Sequence, residues 1–236
     1  MNLDSYKAVF FDVGGTLIRV YPSVGEIYAK HAQPFGFQGT CHDLDYQFGK
    51  TWKEVGGLES IGKNSGPEIE RKFWHDIVKR VFEPSGGLKN FDLYFERVYQ
   101  AFLSAENWKI YEDVMESGLL DKLKKRKIIL GIISNWDSRL ESILEVLGLA
   151  KYFDFILAST VVGSAKPNSE IFKEALRKSG VNAKDACHIG DEIKSDFDGA
   201  KNLGINPILI DRQGYHNCRT QPKIRSFMEL AVSSLD

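Results

Sequence analysis

The chain has 236 residues, 43% of them hydrophobic and 27% charged, and a formal net charge of −1. This is the make-up of a folded chain large enough for one α/β domain, or for a domain carrying a smaller insertion, and it excludes the disordered and fibrous classes. The balanced charge gives no broad positive field for nucleic acid, and no apolar run approaches the ~18 residues of a membrane span, so neither partner is expected.

Residues 1–5 carry no basic leader or cleavage signal ahead of the first apolar run, which makes a cytoplasmic location the expectation. Cys41, Cys187 and Cys218 lie far apart with no Cys-x-x-Cys spacing, which argues against a disulfide framework and against a zinc site. Cys187 falls in an apolar run and reads as a small buried hydrophobe.

The run Ala8–Phe11 predicts a buried strand that stops on Asp12 and is followed by Gly14, Gly15 and Thr16. Two glycines let the backbone bend sharply and approach a ligand closely. The acid then projects from the carboxyl end of a strand, where open α/β sheets hold their ligands.

Residues 22–105 have a different character. Helical segments are predicted over 24–33, 43–55, 67–82 and 91–105, separated by glycine and proline breaks near 34–36, 56–57, 62–66 and 84–87. Leu93, Phe95, Val98, Tyr99 and Phe102 recur at three-and-four spacing, a helix with one buried face. Trp52, Trp74 and Trp108 read as the core of a small bundle, with an interaction surface as the alternative.

Beyond residue 113 the pattern alternates. Helices over 114–126, 138–147, 169–178 and 195–203 separate apolar strands over 128–133, 155–159, 186–189 and 207–210, and 225–235 reads as a surface helix. Such alternation predicts a parallel sheet covered on both faces. The basic run at 122–127 reads as a solvated helix end.

These strands end on polar residues: Ser134-Asn135, then Lys166-Pro167 after a short loop, then Gly190-Asp191-Glu192 with Asp196 following. In a parallel sheet all of them share one edge with Asp12. Three acids beside one lysine repel unless a cation compensates them, and a few hard oxygen donors suit Mg²⁺. His188, inside the 186–189 strand, reads as a buried, hydrogen-bonded histidine.

Asp12-x-Gly14-x-Thr16, Ser134-Asn135, Lys166-Pro167 and Gly190-Asp191-x-x-x-x-Asp196 resemble, in order, the four motifs of the haloacid dehalogenase-like (HAD) hydrolase superfamily. The tracts from Ile132 to Asp137 and from Lys166 to Phe172 look like its HDHD3-type branch. The resemblance implies a Rossmann-like core (residues 1–20 and 107–236) with an inserted helical cap domain (residues 21–106). It also implies a Mg²⁺-dependent phosphatase acting on a small phosphorylated metabolite, with Asp12 as the nucleophile that forms an aspartyl-phosphate. Asp12, the Gly14 carbonyl, Asp191 and Asp196 would serve the metal, and Thr16, Ser134, Asn135 and Lys166 the phosphate.

One departure matters. Most such phosphatases carry a second aspartate two residues after the nucleophile, as acid for the leaving alcohol and then base for water. Here that position is Gly14. General acid–base help is worth about 10²–10⁴ in rate, so its loss should penalise poor leaving groups and spare aryl or acyl phosphates. Glu192, Tyr21 and His31 are candidate substitutes. A dehalogenase, which needs no metal, fits the retained Asp191 and Asp196 less well. The alternative is a weak or inactive member that binds a ligand or a protein.

Overall fold

The computed structural model of the chain describes residues 1–61, 65–216 and 222–231. In chain order the elements are β1 (Ala8–Phe11), β2 (Ile18–Val20), α1 (Val24–Ala32), α2 (Cys41–Val55), α3 (Pro67–Phe82), α4 (Phe91–Ala101) and β3 (Trp108–Ile110). There follow α5 (Glu112–Glu116), α6 (Leu119–Lys125), β4 (Ile129–Ser134), α7 (Leu140–Val146), β5 (Phe155–Ala158), α8 (Ser159–Val162), α9 (Ser169–Ser179) and β6 (Ala186–Gly190). A π-helical stretch (Ile193–Asp198), α10 (Gly199–Asn202), β7 (Asn206–Ile210) and β8 (Lys223–Ile224) complete the series.

Among the described residues, six strands form one parallel sheet in the order β5-β4-β1-β6-β7-β8. Side chains along a strand alternate between faces. Val9 and Phe11 therefore join Leu120, Leu123, Ile143 and Leu144 beneath α6 and α7. Ala8 and Phe10 join Ile171, Phe172 and Ala175 of α9 on the other face. With both faces covered, the central strands are mostly apolar, and polar residues concentrate at and just past their ends, with His188 inside β6 the exception.

Helices α1–α4 form an all-helical unit between β2 and β3, with its own core of Ile27, Tyr28, Leu44, Val78, Phe82, Tyr94 and Phe95. Its helices start on conventional signals: Ser23 and Thr40 accept from the N–H groups of Glu26 and Asp43, and Pro67 opens α3 with Glu68 and Glu70 in the first turn. The chain enters and leaves this unit side by side, because β2 and β3 pair antiparallel with Val20 opposite Trp108.

Several expectations are corrected. The β2–β3 ribbon was not predicted. The expected helix over 114–126 is two short helices, because Gly118 sits at φ 60° between them. The helix over 195–203 begins earlier and in π form. In the tail, β8 pairs with β7, Ser226 caps a 3₁₀ turn at Phe227–Glu229, and Ala231 bridges to Asn2, so no helix forms there; residues 232–235 of that expectation, and Cys218, lie outside the described residues. Among the described residues no helix is long and apolar enough to cross a membrane.

Candidate functional site

Asp12 extends the β1 ladder, its N–H donating to the Ile189 carbonyl at 2.9 Å, and its carboxylate meets side chains from three other strand ends. Ser134, the last residue of β4, donates its hydroxyl to Asp12 Oδ1 at 2.9 Å. Lys166, from the loop between α8 and α9, donates Nζ to the same oxygen at 2.7 Å and to Asp196 Oδ1 at 2.5 Å. Asp196 lies in the π-helical stretch, where its Oδ1 also meets His188 Nε2 at 2.9 Å and its Oδ2 accepts the Glu192 N–H at 3.1 Å. Lys166 is 1% exposed, which is tolerable for an ammonium only because two carboxylates hold it.

Burial works against the lysine's charge, but Asp12 and Asp196 outweigh it and hold the ammonium protonated above its ordinary range. Burial pushes Asp12 up, against the pull of Lys166. It acts the same way on Asp196, where Lys166 and then His188 prevail and hold the carboxyl well below the usual range. His188, fully buried, is pushed down by desolvation and is a hydrogen-bonded core histidine, as expected.

Asp191 is different. Burial first, then the neighbouring Asp12, Asp196 and Glu192, push it up to about 8. Its hydrogen bond from Thr16 Oγ1 is long, at 3.5 Å. Carboxylate oxygens of Asp12, Asp191 and Asp196 all lie within 4.8 Å of one another. One ammonium thus faces three acids, and the surplus falls on Asp191. The donor set fits a hard divalent cation, with the open oxygens on Asp12 and Asp191; both oxygens of Asp196 are taken by Lys166, His188 and the Glu192 N–H. Gly15 shows how closely the first loop approaches: at φ +76° it is in the left-handed region, and a Cβ there would lie 2.1 Å from Asp191 Oδ2.

The side chain of Asn135 clasps the Lys166 backbone, accepting its N–H at 2.7 Å and donating to its carbonyl at 2.9 Å. It therefore sets where the lysine stands. Thr16 is fully buried and faces Asp191 rather than Ser134. Gly14 lines the same cavity as Asp12 and Asp191. Of the candidate substitute acids, Glu192 lines that cavity, whereas Tyr21 stands outside it between Arg19 and Lys109, and His31 on α1 also lies outside.

Two anchoring systems escape sequence reasoning. Arg212, after β7, grips the first loop by donating to the carbonyls of Gly15 (3.2 Å) and Thr16 (2.7 Å), while Nη1 pairs with both oxygens of Asp113 (2.9 and 3.0 Å). Asp137, fully buried, takes Arg139 Nη2 and Trp74 Nε1, both at 2.6 Å, and Glu70 accepts the Ser138 N–H at 3.2 Å. The loop after β4 is thereby tied to α3. Glu70 lies in the first turn of α3, and nothing in local spacing signals partners so remote.

The strand ends face α1–α4 across a cavity of about 670 Å³. Its lining includes Trp52, Trp74, Tyr99, Phe102, Trp108 and Trp136, all half-buried. Of the tryptophans expected as bundle core, Trp74 packs against the helical core and Trp108 against the sheet core, and both, like Trp52, also line the cavity. Trp52 stacks on Trp74 (5.6 Å, 18°), and Trp108 meets Trp136 at 5.3 Å.

A family model described as haloacid dehalogenase-like hydrolase matches residues 6–204. The mouse haloacid dehalogenase-like hydrolase domain-containing protein 3 is 32% identical over 207 residues, covering 86% of this chain and 81% of that protein. Among solved structures, a HAD phosphatase from Thermococcus onnurineus superposes with a TM-score of 0.66 at 21% identity, covering 94% of each chain. The L-2-haloacid dehalogenase from Xanthobacter autotrophicus gives 0.67 at 19% identity, covering 89% of this chain and 79% of that one. At such identities the two structures share the fold, and the fold alone carries both chemistries.

Proposed function

The chain belongs to the haloacid dehalogenase-like hydrolases, and from that premise we propose that it is a Mg²⁺-dependent phosphohydrolase acting on a small phosphorylated compound in the cytoplasm. The observation that carries this reading is the cluster of three carboxylates, Asp12, Asp191 and Asp196, with oxygens within 4.8 Å of one another and the single ammonium of Lys166 paired to only two of them. Displacement of halide from a haloacid needs a nucleophile and a positive cradle for an anion. A second and third acid would repel such a substrate. They suit a site where a divalent cation is part of the chemistry.

Asp12 is the proposed nucleophile, attacking phosphorus in line to give an aspartyl-phosphate. Asp12, the Gly14 carbonyl and Asp191 would hold Mg²⁺, with Asp196 orienting Lys166 beside it. When bound, the cation supplies charge compensation between carboxylates and phosphoryl oxygens. Ser134 and Lys166 fix the nucleophile and offer donors to the transferring group, aided by Thr16 and the backbone of Asn135. Asn135 keeps Lys166 in register, and Arg212 holds the loop that follows Asp12. Residues 21–106 act as the cap that excludes water over the cavity.

Gly14 offers no acid for the leaving group and no base for the water that clears the intermediate. We assign help with the second step to Glu192, the one of the three candidate substitutes that lines the cavity. The same glycine favours a second reading, a binding module with the fold but without turnover. Phosphate release from acetyl phosphate, with and without Mg²⁺, separates the two. A phosphohydrolase shows Mg²⁺-dependent release that vanishes in Asp12→Asn, whereas equal signals from both proteins would leave only the binding module.

A further inference from the structure

We propose that the substrate class this site takes is an aryl phosphate, a phosphate ester whose leaving group is a flat aromatic ring. The inference rests on the phosphohydrolase reading above and adds what the cavity and Gly14 say about the other half of the substrate.

The cavity is of ordinary size for a small-molecule site, and its wall is rich in aromatic rings. The cavity that holds the carboxylates is also lined by the indoles of Trp52, Trp74, Trp108 and Trp136 with Tyr99 and Phe102. Each is half-buried: Trp74, Tyr99 and Phe102 pack partly against the helical core, Trp108 and Trp136 partly against the sheet core, and all six also line the cavity. Open aromatic surface is stabilised by covering it with another flat apolar group, through area removed from water and through offset or edge-on ring contacts. A phosphorylated polyol would instead lose water from its hydroxyls against rings that return few hydrogen bonds. Trp74 Nε1 and Trp108 Nε1 are already committed, to Asp137 and to the Phe102 carbonyl.

The aromatic wall also reaches the catalytic loop. A Cβ at Gly14 would lie 3.3 Å from Trp136 Cζ3. An indole therefore stands against the backbone at the position from which a proton-donating side chain would reach the leaving oxygen. The leaving group must depart unprotonated, which an alkoxide does poorly and a phenolate or carboxylate does well. The chemistry alone allows aryl and acyl phosphates. The rings select the aryl ester. Arg19, Lys53 and Lys194 are the other basic residues besides Arg139 and Lys166 in the cavity lining, with Arg19 Cζ held 5.3 Å over the Tyr21 ring.

The proposed step balances as follows. Asp12 forms a bond to phosphorus, the P–O bond to the ring breaks, and its electron pair leaves on the phenolate oxygen. Water then cleaves the aspartyl-phosphate, returning the carboxylate and releasing phosphate. The proton set free goes to the phenolate in solution.

The test compares 2-naphthyl phosphate, n-hexyl phosphate and acetyl phosphate on the wild type, Asp12→Asn and Trp52→Leu, with Mg²⁺ present. Binding of the non-hydrolysable 2-naphthylmethylphosphonate and of hexylphosphonate to the wild type is followed by calorimetry. The expected results are an Asp12-dependent kcat/KM at least about 10²-fold higher for the naphthyl than for the hexyl ester, and tighter binding of the naphthyl phosphonate. Trp52→Leu should lower the ratio of naphthyl to acetyl phosphate turnover. If acetyl phosphate is hydrolysed but naphthyl and hexyl esters are equivalent and the two phosphonates bind alike, the aryl assignment is overturned and the phosphohydrolase reading survives. If no substrate is turned over by any protein, the phosphohydrolase reading fails and takes this one with it. The binding arm, on the wild type, stands even if Trp52→Leu does not fold.

Discussion

Arg212 offers the sharpest test of how the first loop is held. Its side chain is 12% exposed, and it donates to Gly15 O, to Thr16 O and to both oxygens of Asp113, with the guanidinium 3.9 Å from the centre of the Tyr111 ring. Arg212→Met keeps the stem and removes all four hydrogen bonds. Removing one partner of a buried pair costs about 3–5 kcal/mol. Here the cost is at the low end, about 3 kcal/mol by that scale, because Asp113 retains Ser226 Oγ at 2.8 Å and the Phe227 N–H at 2.7 Å. For a chain of this length that is a fall in Tm of roughly 6–12 °C, read by circular dichroism. The loop carbonyls lose their support as well, so Mg²⁺-dependent acetyl phosphate turnover, measured well below Tm, should drop at least about tenfold.

Arg212→Lys should recover under half of the lost stability, since an ammonium cannot reach two carbonyls and a carboxylate in one plane. The pH dependence carries the same signature. Burial raises the Asp113 carboxyl, but Arg212 and the Phe227 N–H outweigh it and hold the group below its ordinary value. Its stabilising contribution is complete above the unfolded value near 4 and is lost as pH falls through the lower folded value, so the acid limb of Tm against pH should be shallower in Arg212→Met. A variant within 2 °C of wild type, with unchanged turnover (thresholds set for this test, about the resolution of a Tm comparison), would refute the idea that this clamp positions the catalytic loop.

Lys166→Met leaves Asp12 and Asp196 facing each other without the ammonium, and thermal unfolding without metal should show a loss of about 3–5 kcal/mol; an unchanged Tm would mean that the carboxylates simply take up protons. Asp191, pushed up to about 8, must release its proton to bind a cation. Calorimetry should therefore find Mg²⁺ affinity rising by up to about tenfold per pH unit from pH 6 and levelling off above pH 8. Affinity that is flat across that range argues against Asp191 as a ligand. Gly14→Asp alone should not create an alkyl phosphatase, because its side chain meets Trp136 and overpacking costs about 1–3 kcal/mol. Gly14→Asp with Trp136→Ala should raise hexyl phosphate turnover by about 10²-fold or more over the wild type, and no gain in the double variant would count against the missing-acid argument.

Much of the architecture was legible because the strands β1, β4 and β5 are nearly continuous apolar runs followed by polar residues. Ala8–Phe11 before Asp12 and Ile129–Ser134 before Asn135 announce both a strand and its functional end. The ribbon was not legible. Its strands are three residues each, set on either side of the inserted helices, too short for alternation to register. Asp113 and Arg212 are 99 residues apart, and no local pattern marks them as partners. The tail misled because apolar residues at helical spacing serve equally to seat Phe227 against Phe11 (ring centres 5.9 Å apart) while the chain bridges back to Asn2. Trp52 and Trp74 were ambiguous for another reason: aromatic composition states how much ring surface a bundle carries, whereas only packing states which of it is left uncovered.

The central place of β1 in the sheet has a consequence for the birth of the protein on the ribosome. Ala8 pairs with Ile129 on one side and Ala186 on the other, and Asp12 waits for partners 122 and 154 residues downstream. At about 5–20 residues per second this leaves the first strand unpaired for on the order of ten seconds, while the whole of α1–α4 emerges. The inserted helices, rich in short-range contacts, have time to fold first and hold the two ends of the ribbon together. The nascent chain thus carries a sticky apolar strand, Ala-Val-Phe-Phe, tethered to an already folded helical unit. Slowing synthesis between β3 and β6 should increase its capture by chaperones that bind extended apolar segments.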